Sequence, residues 1–331
     1  MNILLYSPTF YESPGTQARM ILLRKSLTKA GFKTSILVGR EKLLRKLYHH
    51  SSRRILTLRS AWKLMGKMIS RQITKKNPDV VILFIDVSSS AIPYLKKHNA
   101  DITIILSIED LTPEYKEYDE ETSRKFYNIL IEHASEADII ITPSFTLSEK
   151  LLKLGLEAIT IPTGLEPYVT LGEALSRPLP PIILHAGQLN SQKQIDTIVK
   201  LAQRYKMLVH NFGKLSRLLT HPNILKYREI TPEKAVSICR QAHIGLIVEY
   251  KNTYSSTRYY FHTSLLQPII VKGRGPWLRE ARLLGVTLNP IDDIDEIINK
   301  YEHYVRGQFE CQKKLSIPFV HSPLINMIKR V

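Results

Sequence analysis

One short stretch of the sequence places an arginine at the expected start of a helix, with glycines nearby, in a pattern suited to binding an anion. The stretch YSSTRYYFHTSLLQPIIV runs from Tyr254 to Val271, and KGRGPW follows it. It predicts a polar loop, a helix with Arg258 in its first turn, a buried strand, and a flexible loop containing Gly273 and Gly275. An arginine beside the free N–H groups of a helix start forms an anion site, for which a diphosphate is a suitable ligand.

Three acidic residues are expected at the carboxyl ends of strands, where open α/β sheets bind their ligands. Glu109 and Asp110 follow the apolar run Ile102–Ser107, and Glu249 follows the run Ile244–Val248. Each carboxylate could orient a hydroxyl group or act as a base. An ordinary loop acid is the alternative for each of them.

Gly15 and Thr16 lie where the first predicted strand, Asn2–Tyr6, passes into the first predicted helix. A glycine there lets the backbone approach a ligand closely, and Thr16 is expected to cap the helix. A plain turn with a capped helix explains the same two residues, so both interpretations stay open.

No set of metal ligands is apparent in the sequence. Asp292–Glu296 reads DDIDE, which predicts the start of a helix with acids in its first turn. His49 and His50 have no partner ligands nearby, and Cys239 and Cys311 belong to no Cys-x-x-Cys pattern. We therefore expect no metal and no cofactor, and the two cysteines are typical of a reducing, cytoplasmic compartment.

Short apolar runs alternate with helical segments along the 331 residues, which predicts an α/β protein with parallel, doubly wound sheets. The alternation starts again at Ile182, after a segment with three prolines near its end. The chain is long enough for two Rossmann-like domains facing a cleft, and the cleft is the expected ligand site. The expected divisions are a first domain over 1–166, a linker over 167–181, a second domain over 182–310 and a C-terminal helix over 311–331.

The positive charge of the chain is concentrated in one segment. The formal net charge is +17, and the range from Arg40 to Lys76 contains 12 Lys or Arg residues and one acid, with Trp62 and Met65 among its apolar residues. Basic amphipathic helices suit an anionic membrane surface. Solvated helix faces and nucleic-acid binding are the alternatives, although no nucleic-acid motif accompanies the charge. No apolar run reaches the length of a membrane-spanning helix, and the N-terminus lacks the basic flank of a signal peptide.

Four segments, in this order, resemble GT-B glycosyltransferases of the family-4 kind. Ala137–Gly164 looks like the last strand and helix of the first domain, and Ile183–Ala202 resembles the opening of the nucleotide domain. Tyr227–Val248 looks like the loop and helix beside the base. The Tyr254–Val271 stretch is most similar to the glucosyltransferases that elongate O-glycans on serine-rich bacterial adhesins.

The resemblance also assigns individual residues. Tyr254 and Arg258 fall on the tyrosine and lysine of the adhesin-glycan enzymes, and Lys193 falls on a family lysine. Gly187 matches the glycine of the Gly-Arg-Leu pattern, and Gln188 replaces its arginine. Thr253 and Phe261 occupy the positions of a glutamate pair that many family members carry. Glu109-Asp110 stands where the family has His-Asp.

The resemblance implies a metal-independent transferase that retains the anomeric configuration. It would move a sugar from a nucleoside diphosphate, with a UDP-sugar as the expected donor, to a glycan, glycolipid or glycoprotein acceptor. The implied donor ligands are Arg258, Lys193, Tyr254, Gly187, Gln188, Gly15, Thr16, Gly273 and Gly275. The C-terminal helix is expected to cross back to the first domain, and the protein to work in the cytoplasm or at the cytoplasmic membrane face.

Three other functions stay open. The missing glutamate pair and the substituted Glu109 are also compatible with a non-catalytic GT-B-like partner of a transferase. The net charge of +17 is compatible with a nucleic-acid-binding protein. A GT-B-fold sugar-nucleotide epimerase would use the same donor site and need no acceptor.

Overall fold

The computed structural model describes residues 1–8, 14–39, 58–115, 118–210, 214–227, 232–249, 254 and 257–331. The chain forms two compact units. The first contains the described residues of 1–164 together with Tyr254 and Ile317–Val331, and the second contains those of 165–251 and 256–316. None of the helices within these ranges is long and apolar enough to cross a membrane.

Strands and helices alternate along the chain as the sequence predicts. The strands are β1 Asn2–Ser7, β2 Lys33–Val38, β3 Val80–Phe84, β4 Thr103–Ser107, β5 Ile139–Thr142, β6 Ile159–Thr160, β7 Ile182–Ala186, β8 Lys206–His210, β9 Ile224–Tyr227, β10 Ile244–Glu249, β11 Ile269–Gly273 and β12 Leu288–Pro290. The helices are α1 Pro14–Lys29, α2 Leu58–Thr74, α3 Ile92–His98, α4 Thr112–Tyr115, α5 Glu120–Ala134, α6 Phe145–Lys153, α7 Leu171–Leu175, α8 Gln192–Ala202, α9 Pro232–Cys239, α10 Thr257–Ser264, α11 Pro276–Leu283, α12 Ile294–Asn299, α13 Tyr301–Leu315, α14 Ile317–Val320 and α15 Ser322–Ile328. Three 3-10 helices lie at Asp86–Ala91, Lys214–Leu218 and Ile291–Asp293.

Each unit is built on one six-stranded sheet. The strand order is β2-β1-β3-β4-β5-β6 in the first unit and β12-β11-β10-β7-β8-β9 in the second, and the paired strands are parallel. In the second unit the chain builds the sheet outward in opposite directions from β7, so the order reverses between β7 and β10. In open α/β sheets this reversal leaves a crevice at the carboxyl ends of the strands, where ligands bind.

The central strands β3, β4 and β10 are apolar along most of their length because helices cover both faces of each sheet. In the first unit Leu4 and Leu83 face a cluster that includes residues of α2 and α5. Their neighbours Ile3 and Ile82 face the opposite side, where α1 and α15 pack. The alternation follows from the two-residue period of a strand.

The structure changes the interpretation of the basic segment. Trp62 and Met65 on α2 are buried in the core of the first unit, so they are not available to insert into a membrane. The apolar stripe of a helix that packs on a sheet has the same period as that of a membrane-surface helix, and the sequence could not separate the two. Residues 40–57 of the expected segment, including His49 and His50, lie outside the described residues.

Two expected segments differ from the structure. The expected linker, 167–181, contains α7, whose start is closed by a capping box between Thr170 and Glu173, and it belongs to the second unit. The expected single helix over 311–331 is three pieces, because α13 ends at Leu315 and two short helices follow. Pro318 and Pro323 lie in the first turns of these short helices, where proline is tolerated.

The final segment of the chain belongs to the first unit. Leu324 and Ile328 on α15 lie in the same apolar cluster as Leu5 of β1. His321, just before α15, lies 2.7 Å from the Ser26 hydroxyl through Nδ1 and 3.0 Å from the carbonyl of Thr163 through Nε2. The last residues are therefore part of the fold of the first unit.

Candidate functional site

Arg258, in the first turn of α10, connects two strand ends at the carboxyl edge of the second sheet. Its Nη1 donates to Oε2 of Glu249, and its Nη2 donates to the carbonyl oxygen of Gln188, each over 3.3 Å. Glu249 ends β10 and Gln188 follows β7, so these contacts lie where the strand order reverses. Contacts of 3.3 Å are long for a charged pair, so a phosphate oxygen could replace either acceptor with a stronger bond.

Two glycines make room for this arrangement. Gly187 has φ +120°, and a Cβ there would stand 2.7 Å from Nε of Arg258. Gly273 has φ +155°, and a Cβ there would stand 1.8 Å from the carbonyl oxygen of Glu249. A side chain at either position would meet both strain and a collision, so the guanidinium and the β10 end depend on glycine.

The expected loop around these glycines is mostly regular structure. Gly273 is the last residue of β11 and pairs in register with Glu249. The N–H of Arg274 donates to the Glu249 carbonyl over 3.0 Å, and Gly275, with φ +146°, directly precedes α11. The expectation of a flexible loop is therefore wrong at Gly273, because the sheet continues two residues further than the apolar run suggested.

Two buried histidines lie beside Arg258. The ring of His262, one helical turn further along α10, packs on Gly245 of β10, where a Cβ would stand 2.4 Å from its Nδ1. Burial lowers the pKa of His185 on β7 to about 3, and Arg258 adds to the shift. Burial likewise lowers the pKa of His262 to about 4. Both rings are neutral at pH 7, so Arg258 carries the positive charge of this group.

Neither histidine was predicted as a site residue from the sequence. Arg258 and His262 are four residues apart, which places them on one face of a helix, and that spacing was visible. His185 was not identifiable as its neighbour, because it comes from a strand more than 70 residues earlier in the chain.

The start of α8 is fixed to the same edge of the sheet. Nε2 of Gln194 donates to the carbonyl of Val248 over 2.8 Å, while its Oε1 accepts from the N–H of Asn190 over 2.7 Å. Ser191 and Gln194 form a capping box at this helix start. Lys193, the expected phosphate ligand, is exposed in the first turn of α8. Since α8 follows β7, the lysine also lies at the carboxyl edge of the second sheet.

Glu109 in the first unit is paired with Arg19, which was not predicted as a site residue from the sequence. Oε1 of Glu109 lies 3.1 Å from Nε of Arg19 and accepts from the Ser107 hydroxyl over 2.6 Å. Arg19 also donates through Nη1 to the carbonyl of Ile161 over 2.6 Å. Burial raises the pKa of Glu109, and the positive charge of Arg19 opposes that rise.

Arg19 had a recognisable signal in the sequence. It lies on α1 beside Met20 and one turn before Leu23, on the face that is buried against the sheet. An arginine on the apolar face of an amphipathic helix needs a buried partner. The partner could not be chosen from sequence, because Glu109 is 90 residues away.

The structure places Tyr254 in the first unit, whereas Arg258 lies in the second. The N–H of Tyr254 donates to Oδ1 of Asp110 over 3.0 Å, and its hydroxyl donates to Glu114, which also forms an ion pair of 2.7 Å with Lys150. Burial acts to raise the pKa of Glu114, but hydrogen bonds from Lys150 and Tyr254 outweigh it and lower the pKa. The ring of Tyr254 is buried in the core of the first unit.

Gly15 and Thr16 are the second and third residues of α1. The helix begins at Pro14, so Thr16 is inside its first turn and is not the capping residue. Thr16 is buried, and Gly15 is half-buried.

Acidic side chains do not gather into a metal site in the part of the chain that the structure describes. No group of three or more His, Cys, Asp or Glu residues there could hold a metal ion. The DDIDE segment starts with a 3-10 helix, Ile291–Asp293, and continues as α12, with no side-chain cap at either start. The acids lie in the first turns as expected, and neither of these two helix starts has a side-chain cap.

No protein-family model and no curated protein sequence matches this chain. Solved structures match it along its whole length. Sucrose-phosphate synthase from Thermosynechococcus elongatus is 13% identical with a TM-score of 0.70, covering 100% of this chain and 98% of that one. Anabaena HepE in complex with UDP is 11% identical with a TM-score of 0.68, covering 100% of both chains.

An epimerase shares the same architecture. UDP-GlcNAc 2-epimerase from Neisseria meningitidis, bound to UDP-GlcNAc, is 14% identical with a TM-score of 0.61 and covers 100% of both chains. At such identities the likeness extends to the fold alone. The chain has the GT-B fold, with two Rossmann-like domains that are each built on a six-stranded parallel sheet.

Proposed function

We propose that this protein is a glycosyltransferase that takes a sugar from a nucleoside diphosphate, with a UDP-sugar as the donor. The observation that carries the proposal is Arg258, held at the reversal point of the second sheet by Glu249 and by the carbonyl of Gln188. A cation at the carboxyl edge of a doubly wound sheet, in the first turn of a helix, is suited to a diphosphate. GT-B proteins that bind UDP and UDP-GlcNAc share the fold.

In this proposal the diphosphate replaces the present partners of Arg258. The guanidinium can hold two phosphate oxygens at once, which a lysine cannot. As the bond between sugar and phosphate breaks, negative charge grows on the departing diphosphate. Arg258 and the α10 N–H groups then stabilise that charge, and Lys193 adds a second cation from the start of α8. The step uses no metal.

Glu109 and Asp110 are assigned to the sugar or acceptor hydroxyls. The Arg19 charge and the Ser107 hydroxyl favour the ionised form of Glu109 and fix its orientation. An oriented carboxylate can accept a hydrogen bond from a hydroxyl, or its proton. Asp110 has one oxygen occupied by the Tyr254 N–H, which makes it an orienting group rather than a base.

The acceptor class is a glycan, glycolipid or glycoprotein, and the proposed outcome is retention. Anomeric NMR of the product would test the outcome directly. Both cysteines, Cys239 and Cys311, are buried thiols, and burial raises the pKa of each to about 12, so neither is a reactive thiolate. This is compatible with the proposed cytoplasmic location.

A thermal-shift panel tests the donor site. UDP, GDP, ADP and CMP are each added at saturation, with and without EDTA, to the wild type and to Arg258→Ala. Ligand at about 100 times its Kd stabilises the folded state by about 2.7 kcal/mol. Stabilisation by one diphosphate that survives EDTA and is lost in Arg258→Ala supports the proposal. No stabilisation by any nucleotide contradicts it.

A sugar-nucleotide epimerase is the second candidate, favoured by the full-length likeness to the Neisseria enzyme. Incubation of the protein with the selected nucleotide sugar separates the two. A transferase releases free nucleoside diphosphate and forms a glycosidic bond to an added acceptor. An epimerase changes the sugar configuration while the sugar nucleotide stays intact. Binding without either product would instead identify a non-catalytic partner.

A further inference from the structure

Helix α2 (Leu58–Thr74) has a line of positive charge along its exposed side. Arg59, Lys63, Lys67 and Arg71 are spaced four residues apart, and all four are exposed. The line is called the basic stripe below. Residues at this spacing lie on one side of a helix, so the stripe extends over roughly 18 Å of helix length. Lys75 and Lys76, both exposed, follow directly after the helix end.

The other side of α2 anchors it in the first unit. Trp62, Met65, Ile69 and Ile73 are buried in the core cluster of that unit, and the rings of Trp62 and Phe126 meet edge to face at 4.9 Å. The helix is therefore held with its basic stripe towards solvent. This orientation is opposite to that of a surface helix that inserts its tryptophan into lipid.

The stripe has little compensating negative charge. Arg59 forms an ion pair with Glu132 of α5. Within the described ranges, Lys63, Lys67 and Arg71 form no ion pair, and α2 itself contains no acidic residue. Three like charges on successive turns repel one another, and an anionic surface would relieve that repulsion.

One apolar side chain lies beside the charges. Leu64 is 42% exposed and lies one helical turn before Lys67 on the helix surface. A rigid helix with basic side chains and an exposed leucine at its outer edge is suited to a flat anionic surface, where lysines contact headgroups and the leucine reaches the acyl boundary. The phosphates of a nucleic-acid duplex would meet the same basic side chains, but a duplex has no acyl layer for the exposed Leu64 to reach.

We infer that the basic stripe of α2 is a docking surface for an anionic lipid membrane. The basic side chains of α2 contact the lipid headgroups, and Trp62 stays in the core of the first unit. This inference goes beyond the proposed transfer reaction, and it does not depend on that reaction.

Vesicle co-sedimentation tests the docking surface. The wild type and Lys63→Gln/Lys67→Gln/Arg71→Gln are mixed with vesicles of phosphatidylcholine containing about 30% phosphatidylglycerol, or of phosphatidylcholine alone, at about 0.15 M salt. A basic residue near such a surface strengthens binding roughly fivefold, so the triple variant should bind roughly 100-fold more weakly. Binding should require phosphatidylglycerol and weaken at about 0.5 M salt.

A matched control removes the same charge from the opposite face of the same sheet. Lys29, Lys329 and Arg330 are exposed near the ends of α1 and α15, which pack on the other side. Lys29→Gln/Lys329→Gln/Arg330→Gln should keep the wild-type affinity for vesicles. Equal loss in both triple variants would show a general charge effect and overturn the inference.

Two further measurements test the membrane assignment. Leu64→Ala should weaken vesicle binding by a few-fold without changing its salt dependence. If the wild type ignores phosphatidylglycerol vesicles but binds a DNA duplex through the stripe, the membrane assignment is wrong. Circular dichroism melts of every variant verify that a loss of binding is not a loss of folding, since all substituted side chains are exposed.

Discussion

The two GT-B units present different chemistry at the carboxyl edges of their sheets. In the first unit the edge is acidic, and each acid is already held: Glu109 by Arg19, Asp110 by the Tyr254 N–H, and Asp86 by the N–H and hydroxyl of Thr112, each over 2.7 Å. In the second unit the edge carries Arg258, which is held by two long contacts above neutral histidines and between glycines, and Lys193 at the start of α8.

In the proposed function, this difference assigns separate parts of the transfer reaction to the two units. Carboxylates held in place by hydrogen bonds suit neutral hydroxyl groups, because they accept protons or hydrogen bonds without moving. A weakly engaged guanidinium at a helix start suits an anion, which can take over its bonds. On this basis we assign sugar and acceptor hydroxyls to the first unit and the diphosphate to the second.

The largest expected effect is on stability, and it tests whether the carboxyl edge of the second sheet depends on close backbone packing. Gly273→Ala puts a methyl group 1.8 Å from the Glu249 carbonyl at a positive φ, so it should lower the free energy of unfolding by about 3 kcal/mol or more. Gly307→Ala is the matched control, because that glycine lies inside α13 with open space around it. It should raise stability by about 0.5–1 kcal/mol.

Denaturant melts of both variants give the two values. If Gly273→Ala is as stable as the wild type, the backbone at this edge can shift to accept a methyl group. The contrast between the carboxyl edges of the two sheets would then lose its structural basis.

The next effect concerns pH and the buried histidines. His321 in the first unit has a pKa lowered by burial to about 4, so the unfolded chain binds a proton more readily than the folded one. The resulting stability is fully present above about pH 6.5 and is lost as the pH falls towards about 4. Each such histidine should cost about 2 kcal/mol of unfolding free energy between about pH 7.5 and pH 5.

His321→Asn separates this contribution from the rest. The variant should show a smaller loss of stability between the two pH values than the wild type, measured by denaturant melts at each pH. Asp86, whose pKa burial raises to about 6, acts in the opposite direction in both proteins and cancels in the difference. An identical pH dependence in variant and wild type would show that His321 is not buried neutral.

A smaller effect, on nucleotide affinity, tests whether the Glu249 carboxylate occupies the position of the bound phosphate. Glu249→Gln removes the carboxylate that now pairs with Arg258, so the nucleotide selected by the panel should bind about fivefold more tightly, a gain of about 1 kcal/mol. Glu296→Gln removes the same charge from the exposed α12 and should leave the Kd unchanged. Calorimetric titration gives both values, and weaker binding by Glu249→Gln would instead make Glu249 a ligand contact.

The sequence predicted the local structure where local signals agree. Helix α5, Glu120–Ala134, begins directly after a capping residue that is visible in the sequence, and the Asp119 side chain accepts from the Thr122 N–H at its start. The helix α7 was missed, although Thr170 and Glu173 have the spacing of a capping box, because the prolines after it suggested a linker.

Long-range placement was not available from the sequence. Tyr254 and Arg258 are four residues apart in the chain, yet they belong to different units. Glu109 and Asp110 could be predicted because they follow a strand. The pairing of Arg19 with Glu109 depends on tertiary packing and could not be predicted. The sequence pattern predicted which residues lie at the carboxyl edges of the two sheets. The contact partners of these residues are visible only in the three-dimensional structure.

The central claim is that Arg258 binds the second phosphate of a nucleotide. Its most direct test is calorimetric affinity for UDP and for UMP, in the wild type, in Arg258→Ala and in the exposed control Arg282→Ala. We expect the wild type and Arg282→Ala to prefer UDP, and Arg258→Ala to lose roughly 30-fold of that preference, or about 2 kcal/mol, while its UMP affinity changes little. An unchanged ratio of UDP to UMP affinity in Arg258→Ala would contradict the assignment.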